Sequence, residues 1–85
     1  MTPHVIGIDP HSRVHVAAAV DQHGRCVANY QVGAAPAQLV ELVDWISSTG
    51  AQVVAVEGSK GYGLALARLL LAAGHTVVDV SSNLT

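Results

Sequence analysis

Two acids stand out because of what precedes them. Asp9 closes the run His4-Val5-Ile6-Gly7-Ile8, and Glu57 closes the run Ala51-Gln52-Val53-Val54-Ala55-Val56. Both runs are short, apolar and rich in β-branched residues, the composition of a buried strand. A carboxylate at the end of such a strand is carried by a rigid element and still reaches water. Two carboxylates set side by side repel, and each resists desolvation. A divalent cation answers both problems, and Mg²⁺ takes carboxylate and water oxygens in an octahedral array. Ions held this way activate a water or hydroxyl and stabilise a leaving oxygen in phosphodiester chemistry. Taken singly, each acid reads equally well as a solvent-facing strand end. The chemistry depends on the two being neighbours.

The order of elements decides that. Residues 4–9 read as a first strand, stopped by Pro10, which cannot donate to a ladder. Residues 13–21 alternate, with Val14, Val16, Ala18 and Val20 on one face of a second strand. Asp21-Gln22-His23-Gly24 is a turn signature, and residues 25–32 make a third strand. The short turns make these three an antiparallel meander. After Gly33-Ala34-Ala35-Pro36, the residues Leu39, Leu42, Val43 and Ile46 recur at helical spacing, with Pro36 near the helix start and residues 47–50 ending it. Residues 51–57 form a fourth strand and residues 58–63 a glycine-rich loop. Leu66, Leu69, Leu70 and Ala73 mark a second helix capped by Gly74. Residues 75–80 form a fifth strand, and 81–85 trail off in polar residues.

A strand–helix–strand crossover is parallel and right-handed. Strand two blocks one edge of strand one, so strand four takes the other. The expected fold is α/β, βββαβαβ, with a mixed five-stranded sheet of order 3-2-1-4-5. Open α/β sheets place ligands where connections diverge at strand ends. Adjacent strands lie about 4.8 Å apart, so Asp9 and Glu57 can share one ion. Both crossovers step in the same direction. Both helices therefore belong on one face, and the other face is left apolar and bare, a surface for a homo-oligomer.

At 85 residues the chain is expected to be a single small domain, 1–85. A hydrophobic share of 51% against 12% charged residues excludes disorder. The net charge is −2, with Arg13, Arg25, Lys60 and Arg68 as the only Lys or Arg residues. Tight DNA binding needs many such contacts to phosphates, so this chain is not a self-sufficient DNA binder. A single cysteine, Cys26, rules out an internal disulfide and a cysteine-based zinc cluster, and fits a cytoplasmic location. No signal-peptide pattern opens the chain. The apolar stretch 64–73 is broken by Arg68 and falls well short of the roughly 20 residues of a membrane span.

The run Val5-Ile6-Gly7-Ile8-Asp9-Pro10 resembles the opening strand of RuvC-type Holliday-junction nucleases. Across its length the chain resembles DEDD transposases of the insertion-sequence-110 type. That resemblance is carried by Gly7-Ile8-Asp9, by His15-Val16-Ala17-Ala18-Ala19-Val20-Asp21 and by Gly24-Arg25. It continues through Val54-Ala55-Val56-Glu57-Gly58, Gly61-Tyr62-Gly63, Leu66-Ala67-Arg68, Ala72-Ala73-Gly74-His75 and Val77-Val78-Asp79-Val80. It implies an RNase H-like, RuvC-like catalytic domain that cleaves and transfers DNA strands with Mg²⁺ or Mn²⁺. Asp9 would be the first acid of the D-E-D-D set and Glu57 the second. The last two aspartates have no match here, since Asp79 falls before their expected region. The C-terminal part of the fold is expected to be missing and the chain to be incomplete as a catalyst. The family's partners are DNA and, in some members, a structured guide RNA.

Other residues carry weaker readings. Residues 58–63 lead into a helix, whose free N–H groups favour anions, but the spacing is neither a Walker A nor a dinucleotide fingerprint. A plain strand-to-helix turn is the simpler reading. Lys60, Tyr62 and Arg13 are the candidate nucleic-acid contacts. His11, Ser12, Arg13 and His15 follow Asp9. Histidines would suit a softer metal, although turn and strand-surface roles account for all four. Trp45 reads as a core or interface residue and Cys26 as a small strand residue. Two other functions remain open. One is an ATPase half-domain like those of sugar and acetate kinases, against which Pro10-His11 stand where glycine and Ser or Thr would wrap phosphate. The other is a non-catalytic remnant of a mobile element or a small oligomeric protein.

Overall fold

The computed structural model describes residues 3–80, so the polar tail read at 81–85 lies outside the described residues. The elements are β1 (Val5–Pro10), β2 (Val14–Val20), β3 (Cys26–Gly33), α1 (Pro36–Thr49), β4 (Val53–Glu57), α2 (Leu64–Ala72) and β5 (Thr76–Val80). The five strands form one sheet of order β3-β2-β1-β4-β5. The meander β1-β2-β3 is antiparallel, and β1, β4 and β5 are mutually parallel. The order is the one that crossover handedness requires.

Local chemistry makes each turn. Between β2 and β3 the Asp21 carboxylate accepts from the N–H groups of His23 at 2.8 Å and Arg25 at 3.0 Å. Its side chain mimics a backbone turn, and Gly24 supplies the left-handed φ of 79° that completes it. Pro36 opens α1, where a missing N–H costs nothing. Gly50 closes it at φ 74°, donating to Ser47 O. At the far end of the helices the Ser47 hydroxyl meets His75 Nε2 at 2.9 Å, tying α1 to the entry of β5.

Both helices lie on one sheet face and touch each other. That face carries Ile6, Ile8, Ala17, Ala19, Val54 and Val56, all buried. α1 buries Leu39, Leu42, Val43 and Ile46, the full stripe seen in the sequence. α2 buries Leu66, Ala67 and Leu70, while Leu69 is exposed and Ala73 caps the helix. The α2 stripe is thus rotated from the one expected. Its true members are Gly63, Leu66, Ala67 and Leu70, at i, i+3, i+4 and i+7. Gly63 anchors it but has no side chain for a hydrophobicity pattern to count.

The valine stripe of β2 faces away from the helices. Val14, Val16, Ala18 and Val20 sit on the opposite face, while Ala17 and Ala19 lie under the helices and let them approach closely. In the middle of the uncovered face, Gly7 pairs with Ala18 on one side and Ala55 on the other. These small residues floor a shallow depression, open because nothing among the described residues packs there.

Two readings of single residues change. Pro10 does not stop β1; it is its last residue, paired with His15. The pairing of β1 with β4 ends at Ile8 and Val56, so the missing N–H of Pro10 falls where β4 no longer needs a donor. His15 is not a surface residue. It is 2% exposed on the helix side, with Nδ1 lacking a hydrogen-bond partner among the described residues.

Leu42 is fully buried at the centre of the helix-to-sheet contact. Leu42→Ala is expected to cost about 2–5 kcal/mol, a large share of the stability of so small a domain. Urea unfolding followed by the fluorescence of Trp45, which stacks on Tyr30 at 5.1 Å and 11°, measures it.

Candidate metal centre

Alternation along the strands decides where the acids point. Ile6 and Ile8 turn toward the helices, so Asp9 turns to the uncovered face with Val5 and Gly7. Val54 and Val56 turn toward the helices, so Glu57 turns to the uncovered face with Val53 and Ala55. The parallel register pairs Ile8 with Val56. Asp9 and Glu57 are the next residues on adjacent strands, about one strand spacing of 4.8 Å apart. Both line the depression over Gly7 and Ala55. Both also line a groove at the sheet edge, walled by Pro10, Gly58, Gly61 and Tyr62.

That groove has a volume of about 220 Å³. A water takes about 30 Å³ of liquid, so a hydrated divalent ion fits. The donors are hard carboxylate oxygens, as Mg²⁺ or Mn²⁺ needs. Asp9 Oδ2 lies 3.2 Å from His11 Nε2, within hydrogen-bonding distance, with both side chains more than half exposed. No third His, Cys, Asp or Glu joins Asp9 and Glu57 in a metal-sized cluster among the described residues. The pair suits a small hydrated cation and leaves most of its coordination to water or to other groups.

The other candidates separate. Tyr62, 69% exposed, stands in the wall of the groove with both acids. Lys60 is exposed and does not line the groove; its charge acts on Asp79 instead. Arg13 is exposed in the β1–β2 turn, where its carbonyl accepts from Ala34 N–H at 2.9 Å. His15 cannot join the acids. Its strand neighbour Val16 is the residue paired with Asp9, which puts His15 on the opposite face. His11, read as a turn residue with a softer-metal ligand as the alternative, reaches Asp9; an acid followed two positions later by a histidine was the signal for it.

The loop after Glu57 is a knot and not an anion cradle. The N–H groups of Gly61 and Gly63 both donate to Gly58 O, at 2.9 and 3.2 Å, and Leu64 N–H donates to Gly61 O at 3.1 Å. Ser59 gives both its N–H, at 3.1 Å, and its hydroxyl, at 2.6 Å, to Asp79 Oδ1. These N–H groups of Ser59, Gly61, Gly63 and Leu64 therefore do not face a phosphate. Gly58 turns the chain at φ 62°, a conformation that glycine adopts without steric cost. A Cβ on Gly63 would lie 2.7 Å from Val56 Cγ1 and 3.1 Å from Pro10 Cγ. Residues Ser59, Gly63 and Asp79 were missed as a set, because a pairing across twenty positions leaves no local pattern.

Comparison with known proteins adds the family. A family model described as transposase, the DEDD type of insertion sequence 110, matches residues 6–84. The chain belongs to this transposase family. The match spans β1 to β5 and the loops between them, so it covers both acids and the groove. The mixed sheet with two helices on one face is the RNase H-like architecture of these transposases. No curated protein matches the chain. No helix among the described residues is long and apolar enough to cross a membrane.

The Asp79 carboxyl is held below the ordinary value of 3.8 by the Ser59 hydroxyl, then by the Ser59 N–H; slight desolvation opposes this and the Lys60 charge assists it. A lowered folded value means that the tie to Ser59 contributes fully above the ordinary value and is lost as pH falls through the lowered one. The Ser59 amide resonance is therefore expected to titrate with a midpoint below 3.8, and Asp79→Asn to abolish that titration.

Proposed function

We propose that this chain supplies the first half of the metal site of a DNA transposase, with Asp9 and Glu57 as its first two acids. The observation that carries the reading is their placement. Two carboxylates stand at the C-terminal ends of adjacent parallel strands, one position beyond the last paired residues of β1 and β4, face the same side and line one groove. Their oxygens would hold Mg²⁺ or Mn²⁺ together with water. When bound, such an ion supplies Lewis-acid stabilisation of the attacking and leaving oxygens of a phosphodiester. Asp9 and Glu57 would orient it from adjacent strands.

DNA is the partner that the family implies, and a structured guide RNA is a further one. Tyr62 stands beside the acids, where an aromatic face can stack on an unpaired base. Lys60 and Arg13 lie outside the groove and would meet phosphates flanking the reacting one. Four Lys and Arg residues do not hold a duplex at physiological salt. The grip on nucleic acid, like the remaining metal ligands, has to come from outside the described residues. A cytoplasmic setting, where DNA is at hand, suits the free and exposed Cys26. The kinase-like alternative would wrap phosphate in the turn after Asp9, where Pro10 and His11 stand in place of glycine and Ser or Thr. The uncovered sheet face, with Val78 45% exposed, favours self-association through that face.

Mn²⁺ titration of the chain, followed by electron paramagnetic resonance, tests the metal reading. Groups that merely orient a ligand are worth about 10–100-fold in metal affinity, and a direct ligand is worth no less. Asp9→Asn and Glu57→Gln are each expected to weaken Mn²⁺ binding by at least that much; unchanged binding in both sinks the reading. Residues 1–85 alone are expected to show no DNA cleavage or strand transfer. Metal-dependent cleavage that disappears in Asp9→Asn would show the pair to be sufficient. Sedimentation of Val16→Lys and Val78→Lys tests self-association, which these charges on the uncovered face are expected to reverse.

A further inference from the structure

The loop between Glu57 and α2 is pinned at both ends, once to β5 and once against the two strands that carry the acids. At its start, Ser59 is bound to Asp79 on β5 through two hydrogen bonds to one carboxylate oxygen. At its end, Gly63 sits against Val56, the residue before Glu57, and Pro10, the residue after Asp9. Between the pins, Gly58 O accepts from both Gly61 and Gly63. We propose that the Asp79–Ser59 pair is a positioning clamp that holds the end of β4 so that the Glu57 carboxylate faces Asp9. The clamp rests on the reading of Asp9 and Glu57 as a metal pair.

Three observations support it. First, Asp79 is not itself a candidate ligand. It pairs in register with Val56, which is buried toward the helices. Asp79 therefore lies on the opposite side of the sheet from Glu57, whose register partner is Val80. Secondly, only Gly58 separates Glu57 from Ser59, and Gly58 is left-handed at φ 62°. A glycine has more backbone freedom than any other residue, so a strand end followed by glycine swings unless the next residue is fixed. Ser59 is that residue, and Asp79 fixes it. Thirdly, Gly63 contacts both acid-bearing strands with no room for a methyl group. A loop anchored on β5 and seated on β4 and β1 holds those strand ends at one spacing.

The clamp sits in water, since the Asp79–Ser59 bonds are exposed. Exposed bonds of this kind contribute little to global stability, because water competes for both partners. Their effect is local order. That separates a positioning role from a merely structural one: metal affinity and loop order should change while the unfolding transition barely moves.

The test uses the whole chain and the variants Ser59→Ala, Asp79→Ala and Ser59→Thr. Amide hydrogen exchange is read at Gly61 and Gly63, whose bonds to Gly58 O none of the substitutions removes. Mn²⁺ affinity is read by electron paramagnetic resonance, and the carbon-13 shift of the Glu57 carboxyl by NMR without metal. Ser59→Ala and Asp79→Ala are expected to lower protection at Gly61 and Gly63 by about tenfold, to weaken Mn²⁺ binding by about tenfold or more and to shift the Glu57 resonance. Ser59→Thr keeps both donors and is expected to restore all three. Unchanged loop protection in the two alanine variants overturns the clamp. So does unchanged Mn²⁺ affinity in them when Asp9→Asn abolishes binding. Mn²⁺ binding that ignores Asp9→Asn removes the metal reading instead, and the exchange and carboxyl shift then decide the clamp by themselves.

Discussion

Parallel strands cannot be joined by a tight turn, and that constraint organises this molecule. Once β1, β2 and β3 have formed a meander, only one flank of β1 is free, and the chain must cross the sheet through a helix to reach it. Right-handed crossovers carry α1 and α2 over the same face. The register that results pairs Ile8 with Val56 and so brings Asp9 level with Glu57, forty-eight positions away in sequence. The nearness of the two acids depends on that one alignment. A slip of a single residue would turn one acid under the helices and leave the other alone.

The same constraint creates the uncovered face. The sheet buries Ile6, Ile8, Val54 and Val56 under the helices, while valines from β2, β4 and β5 stand on the other side, where none of the described helices packs. The acids share this face. Small residues at its centre, Gly7, Ala18 and Ala55, keep the approach to the acids shallow and open. The site is therefore apolar on one side, edged by the groove of Tyr62 on the other, and charged where the two meet.

The loop after β4 shows how a glycine-rich segment can be ordered without being a ligand cradle. Three of its N–H groups are taken, those of Gly61 and Gly63 by Gly58 O and that of Ser59 by Asp79, and none of the three is left for a phosphate. The aspartate on β5 acquires a role of a different kind from that of the two acids: it lies across the sheet from them and acts on backbone.

By itself, the sequence determined the elements, their order and the identity of the two acids. Alternation, helical spacing, Pro36, Gly50 and the Asp21 turn are local signals, and each is written within a few residues of where it acts. Strand order followed from them because handedness leaves few topologies, and the family was legible in the spacing of short motifs around Asp9 and Glu57. Tertiary structure alone decided the rest. The face on which the acids point, the burial of His15, the turning of the β2 valines away from the helices and the rotation of α2 onto Gly63 all depend on what lies opposite in space. So do the reach of His11 to Asp9 and the tie of Ser59 to Asp79. A hydrogen bond between residues twenty positions apart, or a glycine chosen for the atom it lacks, leaves no periodic mark on the chain. Such features become visible only when the strands are side by side.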